Sequence, residues 1–120
     1  MTKSIAIIDD DDAVRDSLSS LLVSSGYLAS TYANALEFLN ANQKKSPDVI
    51  ILDHQMDGMT GVDLAEHLTH KKSTIAILMI SGNLTETARV RAEAAGVRAI
   101  LDKPFTDEKL LNAVEKLFEK

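Results

Sequence analysis

Five short apolar runs, Ile5–Ile8, Leu28–Tyr32, Val49–Leu52, Ile75–Ile80 and Ala99–Leu101, recur at intervals of about 20–26 residues, with segments of helical period between them. The third and fourth runs are continuous rather than alternating, the pattern of parallel strands covered on both faces. In the first interval Val14, Leu18, Leu21 and Leu22 form one apolar stripe, which predicts a helix over Ala13–Ser25 with Gly26 as its left-handed stop. Asn34 is the predicted N-cap of a helix over Ala35–Asn42, with Leu36, Phe38 and Leu39 as its apolar residues. Gly61–His70 carries Val62, Leu64, Ala65 and Leu68, and Thr85–Ala95 is alanine-rich and charged, followed by Gly96. Thr106 is placed to cap a last helix with Leu110, Leu111, Val114, Leu117 and Phe118 on its buried stripe. Each parallel connection needs a crossover, so the alternation predicts one α/β domain: a doubly wound, five-stranded parallel sheet with helices on both faces.

At 120 residues the chain has room for one domain, 1–120, and for a real core. It contains no cysteine, which excludes disulfides, zinc–cysteine sites and thiol catalysis. The net charge of −5 gives no general attraction to phosphate backbones or anionic membranes, so direct nucleic-acid binding is not expected. The basic residues Lys71, Lys72, Arg89, Arg91 and Arg98 read as solvated helix faces. No apolar run approaches the ~18 residues of a membrane span and no signal-peptide layout is present, so a cytoplasmic protein is expected.

In such a sheet, ligands bind beyond the carboxyl ends of the strands, where the winding direction switches. The first run is followed by Asp9-Asp10-Asp11-Asp12. Helix capping accounts for one or two of these acids; a full cluster suits a hard cation and repels phosphate. Asp53 follows the third run, where it either meets the first cluster across the sheet or bonds to loop amides. Ser81 and Gly82 follow the fourth, as an oxyanion donor or as ordinary turn residues. Lys103 follows the fifth, with Pro104 in a turn open to either peptide isomer.

In joint order these features resemble the receiver domain of response regulators, the phospho-accepting module of two-component and phosphorelay signalling. The carrying pieces are Ile8-Asp9-Asp10, Ile51-Leu52-Asp53 with Met59-Thr60-Gly61, Ile80-Ser81-Gly82 and Lys103-Pro104-Phe105, and the likeness extends from about Ser4 to Phe118. It implies a (βα)5 flavodoxin-like sandwich in which Asp53 accepts the phosphoryl group. It also implies Mg²⁺ bound by Asp10 and Asp53, by Asp9 directly or through water, and by the backbone carbonyl of Gln55. Ser81 would hydrogen-bond the phosphoryl oxygens and Lys103 would pair with one of them, while Asp11 and Asp12 support the helix terminus. The donor would be a histidine kinase or a histidine phosphotransfer protein. The recipient of the signal would be a downstream protein or output domain, reached through the face of the fourth helix, fifth strand and fifth helix, with homodimerisation through that face left open.

Three positions depart from the family pattern: Asp57 where proline is common, Ile100 where an aromatic switch residue is common, and Ser81 where threonine is commoner. His54, His67 and His70 form no convincing metal set, and Met56, Met59 and Met79 read as packing. Two other readings compete. One is a pseudo-receiver that binds partners constitutively, which the intact Asp10, Asp53, Ser81 and Lys103 set disfavours. The other is a small aspartyl-phosphate hydrolase, for which the chain offers no cap segment. A signalling protein rather than a conventional enzyme is expected, with no output domain after the fifth helix; a single-domain regulator and a piece of a longer regulator or hybrid kinase both suit that.

Overall fold

The computed structural model describes residues 3–41, 46–56 and 58–119. Strands β1 (Ser4–Ile8), β2 (Leu28–Tyr32), β3 (Val49–Asp53), β4 (Ala76–Ser81) and β5 (Ala99–Asp102) alternate with helices α1 (Asp12–Ser24), α2 (Ala35–Asn40), α3 (Gly61–His70), α4 (Glu86–Ala94) and α5 (Asp107–Leu117). All pairings are parallel, in the order β2-β1-β3-β4-β5. The doubly wound sheet expected from the sequence is therefore present. No helix among the described residues is long and apolar enough to cross a membrane.

Because side chains alternate across a strand, each strand serves two cores. Ala6, Ile8, Ile50, Leu52, Ile77 and Met79 face α2, α3 and α4, where Phe38, Leu64, Ala65 and Ala92 meet them. Ile5, Ile7, Val49, Ile51, Leu78 and Ile80 face α1 and α5, against Leu18, Leu22, Leu110, Val114 and Leu117. β3 and β4 are buried along their whole lengths, and their continuous apolar sequence follows from that. Each large aliphatic side chain so buried contributes roughly 1.5–3 kcal/mol of transfer free energy.

The helix boundaries follow local chemistry. Asp11, Asn34, Thr60, Thr85 and Thr106 are the N-caps, each accepting a backbone N–H from the first turn. Gly26 and Gly96 follow α1 and α4 with φ of 95° and 88°, the left-handed geometry that favours glycine. α2 is shorter than its sequence pattern implied: it ends at Asn40, and Asn42 lies outside the described residues. Its buried side is Ala35 and Phe38, which leaves Leu36 facing solvent at 61% exposure, contrary to its expected apolar role.

Candidate functional site

The order β2-β1-β3 places the switch in winding direction between β1 and β3, and the carboxyl ends of those strands carry the acids. Asp9 continues the odd-numbered side of β1 (Ile5, Ile7), Asp53 that of β3 (Val49, Ile51), and Lys103 that of β5 (Ala99, Leu101).

The four acids, uniform in sequence, separate sharply in space. Asp9 is 2% exposed, Asp10 is exposed, Asp11 caps α1 and Asp12 begins it. One carboxylate oxygen from each of Asp9, Asp10 and Asp53 falls within 4.8 Å of the others. Lys103 Nζ lies 3.4 Å from Asp53 Oδ2, and the backbone N–H of Gln55 donates to Asp53 Oδ1 at 3.0 Å. Ser81 is fully buried at the end of β4; its Oγ accepts the Asn83 N–H at 3.2 Å, and its carbonyl accepts the Lys103 N–H at 3.0 Å. The Lys103–Pro104 peptide is cis.

Asp9 is fixed on three sides. Its N–H donates to Tyr32 O, its Oδ1 accepts from Asp11 N at 2.9 Å, and its carbonyl accepts from the Arg15 guanidinium. Its Oδ2 is the one buried side-chain oxygen or nitrogen among the described residues without a hydrogen-bond partner. Burial raises the Asp9 pKa to about 6; the Asp11 N–H opposes the shift, and the Asp53 charge adds to it. An unpartnered buried oxygen within a three-carboxylate cluster fits a hard divalent cation, which takes oxygen ligands and relieves like-charge repulsion.

The start of α3 sits close against the end of β3. A side chain at Gly61 would start 2.7 Å from His54 Cα and 3.0 Å from Asp53 O, so only glycine lets the start of α3 approach this strand end. His54 turns to that helix, its Nδ1 accepting the Val62 N–H at 3.4 Å. Met56 and Met79 are buried in the α2–α4 core and Met59 packs against it. Asp57 lies outside the described residues. Ile100 packs into the α2–α4 core, together with Leu84 and Ala88.

Two residues at this edge escaped the sequence reading. Gly61 carries no role in its motif until α3 is seen against the strand end, and Arg15 has no motif around it. Its only sequence signal is a cation near the start of a helix, where the dipole disfavours one.

Comparison with known proteins agrees with this geometry. The sequence model of the response regulator receiver domain matches residues 5–115. The transcriptional regulatory protein FixJ of Azorhizobium caulinodans is 34% identical over 110 residues, 92% of this chain and 52% of FixJ. The chain thus spans about half the length of the curated relatives it matches. The chemotaxis protein CheY4 of Vibrio cholerae superposes with a TM-score of 0.90 at 28% identity, over 98% of this chain and all of that one. TrrA of Thermotoga maritima, solved in complex with Mg(2+)-BeF, gives 0.84 at 26% identity over 98% of this chain and all of TrrA.

Proposed function

Since the chain belongs to the response regulator receiver domain family of two-component signalling, we propose that Asp53 accepts a phosphoryl group from a phosphohistidine donor in an Mg²⁺-dependent step. One observation carries this reading. A buried strand-end carboxylate lies beside a lysine and two further carboxylates, at the winding switch of the sheet.

In the transfer, an Asp53 carboxylate oxygen forms the new P–O bond as the P–N bond to the donor imidazole breaks, and the ring nitrogen leaves with the bonding pair. Such transfers demand positioning and charge neutralisation more than covalent assistance. Lys103, already 3.4 Å from Asp53, supplies a positive charge to the arriving oxygens, and the Ser81 hydroxyl donates a hydrogen bond to one of them. The Gln55 N–H on Asp53 Oδ1 orients the carboxylate, leaving Oδ2 as the attacking atom once Lys103 turns to the phosphoryl group. Mg²⁺, when bound by Asp9, Asp10, Asp53 and the Gln55 carbonyl, supplies further charge neutralisation. The Mg(2+)-BeF complex of TrrA supports that choice of ion.

The donor is a histidine kinase or histidine phosphotransfer protein. The phosphorylated state engages a downstream protein, an output domain or a second copy through the α4/β5/α5 face. New contacts from Lys103 and Ser81 exist only in that state, which is what shifts the conformational equilibrium. The chain acts in this reading as a cytoplasmic signalling protein rather than a conventional enzyme.

Intact-protein mass after incubation with acetyl phosphate tests it. Wild type gains one phosphoryl mass with Mg²⁺ and none with EDTA, and Asp53→Asn gains none. Labelling of Asp53→Asn equal to wild type would sink the acceptor assignment, and absence of labelling together with no response to beryllofluoride would favour the pseudo-receiver.

A further inference from the structure

We propose that Arg15 is a positioning residue for the metal pocket: through its hydrogen bond to the Asp9 carbonyl it sets the Asp9–Asp10 peptide and so aims both carboxylates. This rests on the proposed Mg²⁺ site and adds a residue to it.

Arg15 is 15% exposed although it belongs to a surface helix. Its guanidinium turns back across the start of α1, donating to Asp9 O with one nitrogen and pairing with Asp12 Oδ1 through the other. The Asp12 partner is 88% exposed, and such pairs contribute little. A cation near a helix N-terminus also works against the dipole. The Asp9 contact is therefore the one that explains the half-buried placement. That carbonyl belongs to the peptide linking the buried Asp9 to the exposed Asp10. With Asp9 N–H bonded to Tyr32 O and Oδ1 to Asp11 N, the Arg15 contact completes the restraint that leaves Oδ2 as the free ligand atom.

Positioning and bare electrostatics make opposite predictions. Removing a positive charge near a carboxylate cluster tightens Mg²⁺ binding by Coulomb attraction alone. Loss of an orienting contact behind a metal ligand weakens binding, typically by 10- to 100-fold.

The test is calorimetric titration of the full chain with MgCl₂, for wild type, Arg15→Gln and Arg15→Lys, with Asp9→Asn as the site control. Thermal unfolding in EDTA is measured alongside. Arg15→Gln is expected to weaken Mg²⁺ binding by about tenfold, and Arg15→Lys, which retains a charged donor, to recover part of the loss. The upward shift in Tm on adding Mg²⁺ shrinks in Arg15→Gln by more than any change in its metal-free Tm. Unchanged or tighter binding in Arg15→Gln overturns the assignment, as does equal loss in both variants. Should Arg15→Gln fail to fold, wild-type affinity in Arg15→Lys with a weakened Arg15→Met decides for it, and any other pattern against it. Absence of Mg²⁺ binding in wild type would instead overturn the metal site itself, and binding in Asp9→Asn equal to wild type would remove Asp9 from it; Arg15's role falls with either.

Discussion

Asp9 shows what a single buried carboxylate does to this protein before any metal arrives. Its pKa, raised to about 6 chiefly by desolvation, lies above its value of 3.8 in the unfolded chain. Between those two values the native state binds more protons than the unfolded state, so stability falls as pH rises through that window. At pH 7 the penalty is fully present, on the order of 2–3 kcal/mol for a shift of this size, and below roughly pH 4 it is gone. Asn at this position keeps the Oδ1 acceptor for Asp11 N–H and carries no charge. Asp9→Asn is therefore expected to be more stable than wild type in urea at pH 7 with EDTA, by about 1–3 kcal/mol. The advantage shrinks towards zero as the pH is lowered to roughly 4. An advantage that stayed constant with pH would show that charge burial is not its origin. Composition and spacing alone do not distinguish Asp9 from the N-cap two residues on; the family resemblance separates them, and it says nothing of the burial of Asp9. That difference arises from where β1 ends and α1 begins. Arg15 was hidden for a related reason, since the reach of a long side chain across a turn depends on the turn's geometry.

Among the elements, α4 is attached differently from the rest. Ala92 is its one buried residue, and Val90 is 58% exposed. Ion pairs tie it down instead. Arg91 reaches Glu66 at 2.6 Å and Asp63 at 3.3 Å on α3, and Arg89 lies 3.6 Å from Asp102 on β5. Asp63 also closes the capping box of α3 with Thr60, and the Thr60 N–H is the first cause of its lowered pKa, with Arg91 a lesser one. Exposed pairs of this kind are weak and screened by salt. Arg91→Ala is therefore expected to speed amide exchange in α4 by about two- to fivefold at low ionic strength while leaving β3 unchanged. In about 1 M salt the two proteins converge, because the Debye length has fallen to about 3 Å. Acceleration independent of salt would mean that the side chain holds α4 by packing. The sequence reading assigned Arg89 and Arg91 to a solvated face, which describes their exposure and misses their partners; ion pairs between helices require knowing which helices are neighbours. The elements themselves were legible because their signals are local: caps at Asn34 and Thr106, glycines at helix ends, and apolar runs at strands. α2 was the exception, since six residues are too few for Leu36 to reveal which way it faces.

At the scale of the whole molecule, the alternation of β3 side chains joins two cores into one cooperative unit. Ile50 belongs to the core under α2–α4 and its neighbour Ile51 to the core under α1 and α5, so the same strand backbone supports both faces and losing the packing on one removes support from the other. The topology was readable from sequence for this reason: strands buried on both faces carry continuous apolar runs, and such runs need helices on each side. The two tyrosines allow the coupling to be tested, because the chain has no tryptophan and each tyrosine packs on a different core. Tyr27 stacks on Phe118 at 5.7 Å beside the α1/α5 core, and Tyr32 meets Phe38 edge-on at 5.3 Å beside the other. Tyr32→Phe therefore leaves Tyr27 fluorescence to report on one face, and Tyr27→Phe leaves Tyr32 to report on the other. In urea both probes are expected to share one midpoint, coincident with far-UV circular dichroism. Ile51→Val, which removes a methylene from the α1/α5 core alone, is expected to cost about 0.5–1.5 kcal/mol. It should lower the midpoint of both probes equally at an unchanged denaturant slope. A Tyr32 transition that stayed in place while the Tyr27 transition moved would show that the two faces melt separately and that the central strands do not couple them.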